Sequence, residues 1–418
     1  MPHFLDIQRP KRFPYFSFIL LFWLVVWFYL CLSNAFQTIQ SWEYGKDAGS
    51  DLKQHYTVAL MLDDAKSRQE GYRSIYRDFH FSTEITKIFH EANYKKGAYL
   101  DRHNYRYGPL VAWLSQKSLP IPYNYWPAGW FMLSLLAASA SMYLIRQFLD
   151  SHSKYNHAHI LLFILAFPAT IYTFVIYQNT LISLLLVCVS LYFLKKDKPW
   201  IAGIFFGLLF YKPQILVYAG AVMFLCGQWR FCLSAGVIAL AQFLLSLLVC
   251  GVEANIYWVE SILEIIRGVQ GDEMQTNIPW KGFFYTVLPE NLHTPARYLT
   301  YGLSLLGLCG TILFYYRIPK NTHWQQWHLF GLAVVYWLIF SPHVKAYELT
   351  LAIPLWLNAR PQNALIRHLS DSLLWISALL GLFCRFINYS LAAPLLTIWI
   401  LLMLYHYMES IKVFKKNE

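Results

Sequence analysis

The chain has 418 residues, of which 57% are hydrophobic and only 14% charged, with a formal charge of +11. Soluble domains run at roughly 45–50% apolar and about 25% charged, so this balance excludes an ordinary soluble enzyme, a disordered chain and a small disulfide scaffold. The basic residues fall mainly in short clusters between apolar runs, a pattern that orients a chain in a bilayer rather than one that binds nucleic acid.

Apolar stretches of about 20 residues cross a bilayer as helices. In chain order they cover residues 14–35, 125–149, 158–176, 179–194, 199–211, 213–228, 231–251, 297–316, 326–341, 347–358, 372–388 and 391–409. The expected fold is an all-α polytopic membrane protein with about twelve transmembrane helices, read as one domain over residues 1–418. The stretches at 199–228 and 347–358 are short for spans. The first run is too long and too aromatic for a signal-peptide core and reads as a retained anchor. Arg9, Lys11 and Arg12 precede it. Counted alternately, Lys154, the run Lys195-Lys196-Asp197-Lys198, Arg230, Arg317 with Lys320, Arg360 with Arg367, and Lys412, Lys415 and Lys416 fall on the same side. Both ends are therefore expected in the cytoplasm.

The opposite face carries the large loops, residues 37–124 and 252–296. In the first, Leu52, Tyr56, Ala59, Leu60 and Leu62 sit near helical spacing behind Asp51, and Ile85, Ile88, Phe89 and Ala92 follow the same pattern after Ser82. Two amphipathic helices along the outer membrane surface would fit. The seven cysteines, Cys31, Cys188, Cys226, Cys232, Cys250, Cys309 and Cys384, lie in or beside apolar runs with no CxxC pair, which argues against a zinc site or disulfide framework.

Charged groups at the mouth of a membrane bundle are costly and invite a functional reading. On the outer side these are Asp47 and Asp51, Arg106 within Tyr105-Arg106-Tyr107-Gly108-Pro109, Lys212 before Pro213-Gln214, Lys281, His343-Val344-Lys345-Ala346-Tyr347-Glu348, and Arg385, together with the amides Gln178-Asn179. Simpler roles exist for each: a helix cap for Asp51, a turn for Asp47, a snorkelling amine for Lys212, a solvated turn for the His343–Glu348 link. Their convergence on one face suits a polar head group on a lipid. Cations would hold a phosphate, aromatic rings would stack on sugar faces, and a carboxylate would take a proton.

The order of these motifs resembles the C-type (GT-C) membrane glycosyltransferases, specifically family 87, the polyprenol-phosphate-mannose-dependent mannosyltransferases. Asp51-Leu52-Lys53-Gln54-His55-Tyr56 is similar to the family's Asp-apolar-x-x-Tyr-Tyr start of the first outer loop, and Tyr72 to Tyr76 to its Gly-x-x-x-Tyr continuation. Tyr105 to Pro109 resembles its Tyr-x-Tyr-Pro-Pro lead into the second span, with Gly108 for the first proline. Tyr177-Gln178-Asn179 stands where the family usually has Gly-Gln-x-Asn, so the glycine is missing. Ala202-Gly203 to Lys212-Pro213-Gln214, and Ser341-Pro342 to Tyr347-Glu348-Leu349, match its Ala-Gly…Lys-Pro-Gln and Ser-Pro…Tyr-Asp-Leu segments, with Glu for Asp in the last.

The resemblance implies transfer of a sugar, mannose or another hexose, from a polyprenyl-phosphate donor to a hydroxyl on the outer face, inverting the anomeric centre. Asp51 would be the general base, with Asp47 as the fallback. Lys212, Arg385, Lys345 and Lys281 would hold the donor phosphate. His55, Tyr56, Tyr105, Arg106, Tyr107, Gln178, Asn179, Gln214, His343 and Glu348 would bind sugar or acceptor. No metal is obligatory and no cofactor is expected, because Lys and Arg can neutralise a monophosphate. The expected partners are the lipid-linked donor, a glycolipid, glycan or protein acceptor and the bilayer. The expected location is a bacterial inner membrane with the site facing the periplasm or exterior; an endoplasmic-reticulum membrane is the alternative. Rival readings are a transporter or flippase of polyprenyl-linked sugars, a glycan polymerase or ligase, and a non-catalytic assembly subunit. Polar groups gathered at one face, rather than near mid-membrane, weigh against the transporter.

Overall fold

A computed structural model describes residues 25, 50–65, 67–76, 105–149, 156–267, 277–317, 326–358, 364–387 and 391–417. These residues are helical, with one isolated backbone bridge, Asn277 to Lys345, and no sheet among them. The first long loop supplies α1 (Ser50–Asp64), α2 (Arg68–Tyr76) and α3 (Pro109–Lys117). The helix expected at the start of that loop is therefore present as α1. The one expected after Ser82 lies outside the described residues.

Next come α4 (Trp126–Phe148), then α5 (His157–Ala166) and α6 (Pro168–Ile176), which meet at 64°. Pro168 causes the break. It has no N–H to donate, and it holds Phe167 in an extended conformation (ψ 128°). α7 (Thr180–Lys195), α8 (Pro199–Gly207) with a 3-10 turn at Leu208–Tyr211, α9 (Pro213–Leu225) and α10 (Trp229–Cys250) follow. α8 packs closely on α10 because Gly203 has no side chain: a Cβ there would stand 2.0 Å from Ser234 Oγ and 2.2 Å from the Phe231 carbonyl.

The second long loop contains α11 (Val252–Arg267) and α12 (Trp280–Val287). One face of α11 buries Ala254, Asn255, Trp258 and Ser261, and the other exposes Val252, Ile256, Val259 and Leu263. Then come α13 (His293–Arg317), α14 (Gln326–Phe340), a 3-10 stretch Ala346–Ala352 leading into α15 (Ile353–Asn358), α16 (Ala364–Ile387) and α17 (Ala392–Asn417).

Of the twelve or so expected spans, three helical runs among the described residues are long and apolar enough to cross a bilayer: Tyr123–Phe148, Trp229–Cys250 and Glu290–Arg317. The bent pair α5–α6 makes a fourth if it counts as one crossing. α7, the Pro199–Tyr211 run, α9 and α14 are apolar but shorter, two of them opening at a proline. The expected span at 347–358 is corrected: it is a 3-10 turn running into a six-residue helix, buried almost throughout within the bundle. The first expected span, apart from Val25, is outside the described residues.

Two main apolar cores result, with a third, small cluster of Leu52, Tyr123 and Tyr177 that joins α1 to the bundle. The larger joins α4 to α10 with α14–α17 around Trp337, Trp356, Phe330 and Phe206. A smaller one gathers Val58, Met61, Tyr72, Ile75, Tyr76, Tyr105 and Ala112 from the first loop against Cys250, Ala254 and Trp258. Polar groups from both sides meet between the two.

Candidate functional site

α1 presents Asp51 in its first turn, where the helix dipole favours a negative charge. The carboxylate field reaches Tyr105, Tyr107 and Tyr347, each of which is pushed well above the ordinary phenol range, first by burial and then by neighbouring charge. One turn on, His55 is buried. Its Nδ1 lies 2.9 Å from the Tyr105 hydroxyl, and its ring packs against that of Tyr107 with centroids 4.8 Å apart. Burial lowers the His55 pKa to about 4, so the ring is neutral at pH 7. Tyr56 packs between Tyr123 and Trp126.

The Tyr105–Gly108 segment is pinned on both sides. Tyr105 N–H donates to the Ile75 carbonyl (3.1 Å), Tyr76 OH to the Tyr107 carbonyl (2.7 Å) and Trp258 Nε1 to the Arg106 carbonyl (3.1 Å). From there the Tyr107 hydroxyl donates to Gln178 Oε1 at 2.9 Å.

Gln178 follows Tyr177, which ends α6 in the left-handed conformation (φ 57°, ψ 45°). This is the position where the family pattern carries glycine, and the backbone explains why: a side chain there costs about 1–2 kcal/mol. The turn leaves Gln178 2% exposed between α6 and α7. Its carbonyl accepts from Trp130 Nε1. Asn179 and Thr180, next in the chain, are buried, and their Oδ1 and Oγ1 have no hydrogen-bond partner among the described residues.

Lys212 sits at the junction of the 3-10 turn and α9, held there because Pro213 opens α9. Its Nζ binds Glu348 Oε1 at 2.5 Å, and the two residues are 6% and 5% exposed. Nζ also lies over the Tyr347 ring, 5.8 Å from its centroid. The adjacent Tyr211 hydroxyl bonds Ser183 Oγ on α7 at 2.8 Å. Gln214, half-buried in the first turn of α9, joins none of these bonds.

The second long loop closes the remaining side. Ile278 N–H donates to the Val344 carbonyl (3.0 Å) beside the Asn277–Lys345 bridge, laying that loop along the His343–Glu348 link. Gly282 permits this, since a Cβ there would stand 2.0 Å from the Asn277 carbonyl oxygen. Lys281 is fully buried, with Nζ 5.6 Å from the Tyr285 ring centroid. Burial, reinforced by the Arg297 charge, lowers its pKa to about 8. His343 is pushed well below the ordinary imidazole range, by burial first and then by Lys345, Arg106 and Lys281. Those three cations therefore share one electrostatic neighbourhood.

The structure thus brings together Asp51, His55, Tyr105, Arg106, Tyr107, Gln178, Lys212, Lys281, His343, Lys345 and Glu348. Arg385 lies on α16, but its side chain, like the whole of Asp47, is outside the described residues. Sequence reading missed Tyr347, Trp130 and the Tyr211–Ser183 pair. Tyr347 was quoted within the His343–Glu348 link but given no role; its place between Lys345 and Glu348 was the available signal.

Residues 105–342 match the family model described as glycosyltransferase family 87. GPI mannosyltransferase 1 of Kluyveromyces lactis is 29% identical over 195 residues, covering 43% of this chain and 47% of that protein. The chain thus spans about half the length of the curated relative it matches. No solved structure matches it.

Proposed function

Because the chain belongs to glycosyltransferase family 87, we propose that it moves a hexose from a polyprenyl-phosphate donor to an acceptor hydroxyl on the face of the membrane opposite the basic loops. Mannose is the first sugar to test, since it is the one transferred by the name of the Kluyveromyces lactis relative. Asp51 takes the proton of the acceptor hydroxyl, whose oxygen attacks the anomeric carbon. The bond from that carbon to the phosphate oxygen breaks, its electron pair leaves with polyprenyl phosphate, and the configuration inverts. Arg106, Lys281 and Lys345 neutralise the charge that develops on the leaving group. The observation that carries this reading is the single neighbourhood in which the Asp51 carboxylate, three cations and a wall of tyrosines meet. The shorter apolar helices and the stretches outside the described residues complete about twelve crossings.

The decisive assay supplies purified protein in lipid with polyprenyl-phosphate mannose and a panel of glycolipid, glycan and peptide acceptors. The expected result is stoichiometric release of polyprenyl phosphate and mannosylated acceptor. Movement of the intact donor across the bilayer without transfer would favour the flippase reading instead.

Lys281 adds a pH dependence. It is cationic below about pH 8 and neutral above, so the transfer rate should fall as pH rises through about 8, and Lys281→Arg should extend activity to higher pH. Thermal stability should move the other way. Between about 8 and the ordinary value of 10.5 the unfolded chain binds the proton that the native chain has shed, so stability rises with pH. Matched pH–rate and pH–melting profiles check both signs.

A further inference from the structure

The site holds a group of cations and, apart from them, several buried oxygen atoms that lack a partner among the described residues. Around His343 lie the cations Arg106, Lys281 and Lys345. The oxygen atoms are Glu348 Oε2, whose carboxylate acts on Tyr107 and Tyr347, and, beside Gln178 in the chain, Asn179 Oδ1 and Thr180 Oγ1; the first two can only accept, and none has a partner among the described residues. A buried carboxylate oxygen without a donor is expensive and in native proteins is met by water or a ligand. The Lys212 ammonium is already engaged by Glu348 Oε1. It holds that carboxylate in one orientation and supplies its counter-charge, leaving Oε2 as the acceptor.

Resting on the polyprenyl-phosphate reading above, we propose that Glu348 Oε2 accepts a hydrogen bond from a ring hydroxyl of the transferred sugar. Lys212 is then the positioning residue for Glu348 rather than a ligand of the lipid phosphate. The proposal implies how the donor lies. Its phosphate faces Arg106, Lys281 and Lys345, its anomeric carbon stands near Asp51, and its ring hydroxyls point toward Glu348. Glu348 therefore determines which sugar is accepted, whereas Asp51 determines whether any is transferred.

Glu348→Gln tests this with little change of shape. The amide oxygen can keep the bond to Lys212, while an NH2 group, which cannot accept, replaces Oε2. The kcat/KM for polyprenyl-phosphate mannose and for each singly deoxygenated analogue is measured on wild type and variant. The expected result is a loss of about 10- to 100-fold on the full donor, and no further loss on the one analogue lacking the bonded hydroxyl. Glu348→Asp, which withdraws the carboxylate by one methylene, should show the same selective loss if the glutamine variant does not fold. Three results would overturn the proposal: an unchanged rate, as when water alone fills Oε2; an equal loss with every donor, as for a second base; or a loss that vanishes with a deoxygenated acceptor. Absence of transfer by wild type from every polyprenyl-phosphate sugar is a separate failure, that of the reaction class.

Discussion

Asp51→Asn should leave a folded protein that releases polyprenyl phosphate at least about a hundred-fold more slowly than wild type, within the 10²–10⁴-fold that a positioned base typically contributes. Asparagine is nearly isosteric and cannot take the acceptor proton. In the first turn of α1 the neutral side chain forfeits the dipole interaction, about 0.3–1 kcal/mol, and keeps the size and hydrogen-bonding capacity of the original, so the melting temperature should move little. Product formation with a lipid-linked donor, followed alongside thermal unfolding in the same detergent, separates chemistry from folding. Wild-type turnover in the variant would remove Asp51 from the mechanism. Asp47→Asn, the matched control, should turn over near normally.

Breaking the Lys212–Glu348 pair should give the largest loss of stability at the site. Lys212→Ala leaves a buried carboxylate without its counter-charge, and removing one partner of such a pair typically costs about 3–5 kcal/mol. The double variant Lys212→Ala/Glu348→Gln carries no stranded charge and should recover part of that loss. Unfolding midpoints of the two single variants and the double variant form a thermodynamic cycle. Equal destabilisation of the Lys212→Ala single and the double variant would mean that the two charges do not support each other.

How far the sequence reaches is clear from particular residues. The extents of α4, α7, α10, α13 and α14 follow the apolar runs to within a few residues, because continuous hydrophobicity is both the signal read and the cause of membrane burial. Reading fails where the backbone breaks within such a run. The 64° bend at Pro168 and the 3-10 turn at Ala346–Ala352 leave the apolar count unchanged while altering what the segment does. At the site, the residue types were legible but their pairings were not. Lys212 and Glu348 are 136 positions apart, and no local pattern could show that a lysine read as a phosphate ligand is held by a glutamate read as a sugar ligand. α11 was missed although its sequence alternates apolar and polar residues at helical spacing; that signal lay in a segment read only as a long loop.

The position of Tyr107 has a mechanical consequence. Its backbone belongs to the small core of the first loop, whereas its hydroxyl is tied to Gln178 at the edge of the large bundle. The side chain is therefore a cross-tie, fastening the first loop to the bundle a second time where the small core already leans on Cys250 and Phe243 of α10.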